Sequence, residues 1–148
     1  MATPKQRFYE YAVAFEQTYV DDDWSRLAPF FADDAVYEVR GSGVECRLQG
    51  RDAILRGLKK SIDGFDRHCT RRVEVLGTPE TDGDTVSVRW QGTYDHSGAP
   101  QLVFQGRSIA TVRDGLIVHL ADEYDPGEAD KAAAWLREHA PGLDMSYV

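Results

Sequence analysis

Only two cysteines, Cys46 and Cys69, occur among the 148 residues of this chain, and their spacing matches no metal-binding pair. Both are read as free thiols, in keeping with a chain that shows no export signal. Positive charge is equally short: Lys and Arg number 17 against 25 Asp and Glu, a formal net charge of −8. Phosphate is gripped through Lys and Arg, so this deficit speaks against nucleic acid or an anionic membrane as the main partner. The pair Arg71-Arg72 is the one local basic spot and reads as a solvated strand edge. No apolar run approaches the roughly 18–20 residues that a membrane span needs. The first residues lead into a helix of alternating apolar and polar positions, unlike the apolar core of a signal peptide, and a cytoplasmic location is expected. HExxH, paired CxxC, phosphate-loop glycine and nucleophile-elbow patterns are all missing. Neither a metal nor a cofactor is expected. Repeats, linkers and low-complexity tracts are missing too, so residues 1–148 are taken as one domain, long enough to bury a substantial core without disulfides or metals.

What is present is patterned hydrophobicity. Thr3 and Gln6 have capping-box spacing with Pro4 at the first helical position. Phe8, Tyr11, Ala12, Phe15 and Tyr19 then recur at helical intervals and form one aromatic face. Asp21-Asp22-Asp23 ends that helix and can cap the next, as a solvated turn rather than a metal site. A second helix near 24–31 buries Leu27, Phe30 and Phe31, and Pro29 predicts that it is short or bent. A strand over 36–39, a turn at Gly41-Ser42-Gly43, a returning strand over 44–48 and a helix from Arg51 to about Asp63 follow. From Cys69 onward the period changes to two. Strands are predicted over 69–77, 84–95, 101–113 and 116–124, with turns at Asp82-Gly83, Ser97-Gly98 and Asp114-Gly115. Asp125-Pro126-Gly127-Glu128 is expected to cap a last helix with Ala129, Ala132, Ala133 and Leu136 as its buried stripe, stopped at Pro141-Gly142. Such a sheet has to bury its inner face on the helices, which gives an α+β architecture.

Phe31-Ala32-Asp33-Asp34-Ala35-Val36-Tyr37, Gly50-Arg51-Asp52-Ala53-Ile54 and the closing meander resemble the nuclear transport factor 2-like superfamily, over approximately residues 5–125. The resemblance is strongest to its SnoaL-like polyketide cyclases and its limonene-epoxide hydrolase group. It implies a cone, in which a curved antiparallel sheet packs on the N-terminal helices around a largely apolar pocket, and it implies a homodimer. The superfamily holds enzymes and non-enzymes alike, so the fold alone does not fix the activity.

Alternate residues of a strand share a face. On 84–95 one face carries Val86, Val88 and Trp90, and the other carries Ser87, Arg89, Gln91 and Thr93. On 116–124 one face carries Leu116, Val118, Leu120, Asp122 and Tyr124, and the other carries Ile117, His119, Ala121 and Glu123. Apolar residues thus lie on both faces. A concave pocket side and a convex side that meets a second subunit account for this, with Val86, Val88, Trp90 and Ile117 expected on the dimer-facing surface. The alternative is a face covered by the chain's own helices.

Asp122 is the leading functional candidate, because it follows Leu120 on the inward face, where a carboxylate is costly unless paired. Arg89 is its expected partner; a buried or rim ion pair without chemistry is the alternative. The resemblance to the epoxide-hydrolase group implies roles: Tyr37 matches that group's tyrosine, Arg89 its arginine and Asp122 its base. Gln91 stands where the second aspartate belongs, and Val39 where the asparagine belongs. An amide can donate a hydrogen bond but cannot hand over a proton, which removes ordinary push–pull epoxide opening. Val39 also falls where the related ketosteroid isomerases carry their general-base aspartate, and Ser108 falls near their oxyanion acid, which excludes that chemistry in that form.

The expected function is cofactor-independent acid–base chemistry on a small hydrophobic oxygenated molecule: cyclisation, isomerisation, or a related lyase or hydrolase step. Asp122 acts as base, Arg89 orients it, and Tyr37 and Gln91 bind the substrate oxygen. Phe15, Val39, Phe104, Val118 and Leu120 are expected to contact substrate, with His68 at the pocket mouth unless it is a lone surface histidine. His96 and His119 assemble no ligand set. A binding module without turnover, an epoxide hydrolase with an altered acid, and an accessory domain joined through the convex sheet are the alternatives.

Overall fold

Thr3 opens the first helix as its spacing predicts. In the computed structural model, which describes residues 2–148, the Gln6 amide donates to the Thr3 hydroxyl at 3.1 Å. The Thr3 amide donates to the Gln6 side chain at 2.8 Å, closing the capping box. Helix α1 (Pro4–Asp21) buries Phe8, Tyr11, Ala14 and Thr18. The acidic turn after it is knitted to cations: Arg26 holds Asp21, while Lys59 and Arg67 hold Asp22. Pro29 has the predicted effect, since Trp24–Phe30 winds as a 3₁₀ helix, which still buries Leu27 completely.

The remaining elements are β1 (Phe31–Arg40), β2 (Cys46–Gln49), α2 (Arg51–Gly64), a 3₁₀ turn at Asp66–His68, β3 (Thr70–Asp82), β4 (Thr85–Asp95), β5 (Leu102–Arg113), β6 (Leu116–Tyr124) and α3 (Glu128–His139). They form an α+β fold around one curved six-stranded sheet of order β2-β1-β6-β5-β4-β3. The long strands β3 to β6 make the expected antiparallel meander, and β1 joins β6 in parallel, so the sheet is mixed. Two buried clusters hold it together. One sits under α1 around Tyr11, Leu27, Phe31, Tyr37, Ile54 and Ile117, and the other under α3 around Phe65, Tyr94, Phe104 and Trp135.

One irregularity decides which side chains face inward. Arg113 pairs with Leu116 and Val112 with Ile117 across the last hairpin, but Thr111 pairs with His119. The extra residue is Val118, a β-bulge that shifts the alternation by one position. Ile117, fully buried, and Leu120 therefore share the inner face, and Val118 is displaced from it. Beyond the bulge Asp122 stands opposite Ser108, and Ser108 opposite Val88.

This register corrects the expected dimer-facing surface. Val86 and Val88 are buried in the cluster under α1, Ile117 lies beside them, and Trp90 faces the same interior. The chain's own helices cover this apolar face. The opposite face carries charge, with Arg107 on Glu123, Arg40 on Glu38 and His119 on Glu38. At the C-terminal end α3 buries Ala132 of the predicted stripe together with Trp135, which was not in it; Ala129 and Leu136 are half-buried and Ala133 is exposed. Asp125 does not cap α3 with its side chain, because Arg89 takes its carboxylate.

Candidate active site

A cavity of about 230 Å³ opens between α1, α2 and the inner face of the sheet. Its walls are mostly aromatic and aliphatic: Phe8, Tyr11 and Phe15 come from α1, Leu58 and Ile62 from α2, and Val88, Trp90 and Leu120 from the sheet. Val73 and Val75 line it from β3 and remain 41% and 54% exposed, which places an apolar mouth at that sheet edge.

Asp122 lines this cavity. The Tyr37 hydroxyl donates to its Oδ2 at 2.5 Å and the Ser108 hydroxyl to its Oδ1 at 2.6 Å. The Trp90 indole N–H in turn donates to the Ser108 oxygen at 3.1 Å. Local structure explains each position. Ser108 is the rung partner of Asp122, and Trp90 lies diagonally across β4. Tyr37 reaches over from the parallel strand, one alternate position from the Val39–Asp122 pairing. Burial pushes the Asp122 carboxyl above its ordinary value, while the Ser108 and Tyr37 hydrogen bonds favour the anion and pull against that rise. Burial also drives the Tyr37 phenol well up, with the neighbouring Asp122 charge adding to the effect. The result is a carboxylate with two fixed donors in an apolar hollow.

A second polar group lines the same cavity. Arg71 donates to Asp66 at 3.0 Å and to Glu16 at 2.7 Å, and its side chain is only 9% exposed. Burial raises Asp66 to about 6 against the pull of Arg71. Arg71 is the rung partner of Tyr94, six residues along β4 from the rung of Asp122, or on the order of 20 Å of strand. The two polar ends are thus well apart.

The expected site set divides. Tyr37, Phe15 and Leu120 join Asp122 at the cavity. Arg89 does not: it is exposed on the opposite face of the sheet and pairs with Asp125 at 2.7 Å. Gln91 shares that outer face, where its side-chain oxygen accepts from Gln105 at 2.8 Å. The reason is register, since the rung through Ser108 and Asp122 brings Val88 inward and turns Arg89 out. Val39 and Phe104 are buried in the packing behind the cavity wall, and the bulge removes Val118. His68 is exposed and away from the cavity, its carbonyl beside the His96 ring. Both cysteines lie outside the lining, and burial raises both thiols, Cys69 to about 11.

Several cavity residues had no role in the pocket assigned from the sequence: Ser108, as a partner of Asp122; Tyr11, Asp66, Arg71 and Tyr147; and Trp90, which was expected on the dimer-facing surface. Tyr11 stood in the aromatic stripe of α1, and Arg71 read as solvated. The hairpin register, counted through the bulge, is the signal that finds Ser108 and Trp90.

The SnoaL-like domain matches residues 6–120. The chain belongs to the SnoaL-like domain family. Curated proteins provide no match to this SnoaL-like protein. Among solved structures it is similar to an LEH-like epoxide hydrolase of M. tuberculosis, at 22% identity and TM-score 0.59 over 86% of this chain and 88% of that one. It is similar to a protein of Xanthomonas campestris pv. campestris provisionally assigned as a polyketide cyclase, at 20% identity and TM-score 0.59 over 90% and 99%. It is also similar to an NTF2-like protein of Burkholderia thailandensis, at 15% identity and TM-score 0.66 over 92% and 98%. These likenesses establish the shared fold.

Proposed function

We propose that this SnoaL-like protein is a cofactor-independent acid–base enzyme that removes a proton beside a carbonyl in a small hydrophobic oxygenated molecule. The observation that carries this reading is Asp122, a carboxylate lining an apolar cavity and held by two hydroxyl donors. Asp122 Oδ takes the C–H proton, and the bonding electrons move toward the carbonyl oxygen as an enolate. The Tyr11 hydroxyl, which lines the cavity from α1 without a well-formed hydrogen bond among the described residues, supplies a donor for that oxygen. Return of the proton to another carbon gives isomerisation; attack of the enolate carbon on a second carbonyl gives ring closure, the new alkoxide taking the proton back from Asp122. Tyr37 and Ser108 aim the carboxylate and favour its ionised form, the role expected earlier of Arg89.

Epoxide opening is the less supported reading, although a fold relative carries that activity. β4 contributes Val88 and Trp90 to the cavity and no arginine or second acid beside Asp122. Asp122→Asn tests the proposal against a panel of enones, polyketide-like ketones and epoxides. Loss of a general base is expected to lower kcat by about 10²–10⁴-fold, with ligand affinity little changed. Unchanged turnover in the variant, or ligand binding with no conversion of any panel member by either protein, would overturn it.

A further inference from the structure

The last residues of the chain complete the cavity from outside the matched SnoaL-like region. After α3 the backbone has no regular structure, yet it is docked along α2. The Asp144 amide donates to the Gly64 carbonyl at 3.0 Å, and the Ser61 hydroxyl donates to the Met145 carbonyl at 2.9 Å. Lys60 donates to the Ser146 hydroxyl at 2.7 Å and to Asp144 at 3.2 Å. Helix α2 is shaped for this crossing. A Cβ at Gly64 would overlap the Asp144 carbonyl, and one at Gly57 would meet the Leu48 side chain first and also crowd the Tyr147 carbonyl at 3.1 Å. Gly57, inside α2 where glycine weakens a helix, and Gly64, its last residue, both stand where the tail passes.

The docked tail sends two side chains into the cavity, Met145 and Tyr147. The Tyr147 ring lies 5.7 Å from the Tyr37 ring, next to the residue that holds Asp122. Its hydroxyl lies near those of Ser61 and Tyr37 but forms no well-aligned hydrogen bond with them; no side-chain polar atom among the described residues is both sealed and unpartnered, so the hydroxyl is reachable from the cavity. Burial and the Asp122 charge keep it protonated, so it is a donor.

We infer that the tail over residues 143–148 is a built wall of the ligand site, and that Tyr147 is a ligand-contacting, selectivity-setting residue. It donates a hydrogen bond to the oxygen of a flat apolar ligand whose hydroxyl or carbonyl lies near Asp122, and Met145 limits how far that ligand extends. This deepens the reading of the cavity as a site for hydrophobic oxygenated molecules but does not depend on turnover.

Equilibrium binding of 2-naphthol and of naphthalene to the whole protein tests it. Tyr147→Phe keeps the ring and its packing. It is expected to leave the melting temperature and naphthalene binding unchanged and to weaken 2-naphthol by about threefold to tenfold, the worth of one hydrogen bond. A chain ending at Gly142 is expected to lose the discrimination between the two probes. Equal effects of Tyr147→Phe on both probes, or no effect on either, would overturn the inference, as would a truncated chain that binds both like the full one. Where truncation prevents folding, Lys60→Ala, which removes the ammonium contacts to Asp144 and Ser146 and loosens the tail on α2, is expected to reduce the discrimination in the same direction. If the probes fail to distinguish the variants while Asp122→Asn still abolishes turnover, the tail inference alone falls. Absence of binding of either probe to the unaltered chain would overturn it outright.

Discussion

Ser108 stands directly across the β5–β6 ladder from Asp122 and donates a 2.6 Å hydrogen bond to its carboxylate. This rung exists because a bulge at Val118 shifts the hairpin by one residue. Without that shift Arg107 would face Asp122. The bulge therefore sets the chemistry of the cavity, giving the acid a neutral donor where regular pairing would give it a cation.

Removing that donor has a defined sign. The Ser108 hydroxyl stabilises the charged form of Asp122, so Ser108→Ala raises the carboxyl further and leaves a smaller ionised fraction at any given pH. The acid limb of the kcat/KM profile is expected to move to higher pH, with activity on that limb down by about tenfold and a smaller loss above it. A uniform loss at all pH values would mean that Ser108 acts on the substrate rather than through Asp122.

Arg89→Ala is expected to leave activity within about twofold of the unaltered protein, well below the loss expected of a general-base partner. Its guanidinium is exposed, pairs with Asp125 on the far side of the sheet, and never reaches the cavity. Steady-state kinetics of this variant beside Asp122→Asn separate the two positions. A collapse in both would show that the outer ion pair is transmitted inward.

Arg89 also marks where sequence pattern stops being informative. Helix ends, turns and the strand order of the meander were legible, because Thr3, Pro29, Asp82-Gly83 and Asp114-Gly115 each impose local geometry on their own backbone. Leu120 and Asp122 were legible as an inward pair from a two-residue period, and Tyr37 from the resemblance to the epoxide-hydrolase group. The facing of β4 was not: Val86, Val88 and Trp90 form an apolar set, but expecting Arg89 beside Asp122 turned that set outward. Its parity is fixed only by pairing through β5 to a bulged β6. Asp66 and Arg71 meet across a short 3₁₀ turn and a strand start, and Tyr147 arrives from an irregular tail. Neither placement has a periodic signal.

Gly64→Ala is expected to destabilise the protein, against the usual trend. Inside an unencumbered helix the change gains about 0.5–1 kcal/mol, and less at the last helical residue, which Gly64 is. Here the added methyl meets the Asp144 carbonyl, and relieving the overlap means lifting the tail, at a cost of about 1–3 kcal/mol. Thermal or urea denaturation reads the sign directly. A stabilised variant would mean that the tail is not docked on α2.

The pair formed by Asp66 and Arg71 predicts a pH dependence of stability with a sign opposite to that of most carboxylates. Burial raises Asp66 from 3.8 to about 6 in the folded state, even with Arg71 beside it. Between these two values the unfolded chain has released its proton while the folded chain still holds it. The folded state binds more protons there, so this group's contribution falls as pH rises from about 4 to about 6 and is flat above. The gap corresponds to about 2–3 kcal/mol at most. Other carboxylates with lowered values, Glu38 and Asp125 among them, contribute in the opposite direction, so the test is a difference. Asp66→Asn removes the titration but leaves Arg71 with Glu16 alone, which lowers stability overall. The unfolding free energy of the unaltered protein minus that of the variant is expected to decline across pH 4–6 and then level off. A difference that rises through this window would show that Arg71 outweighs burial and that Asp66 stays ionised, leaving the second polar end of the cavity as a fixed ion pair.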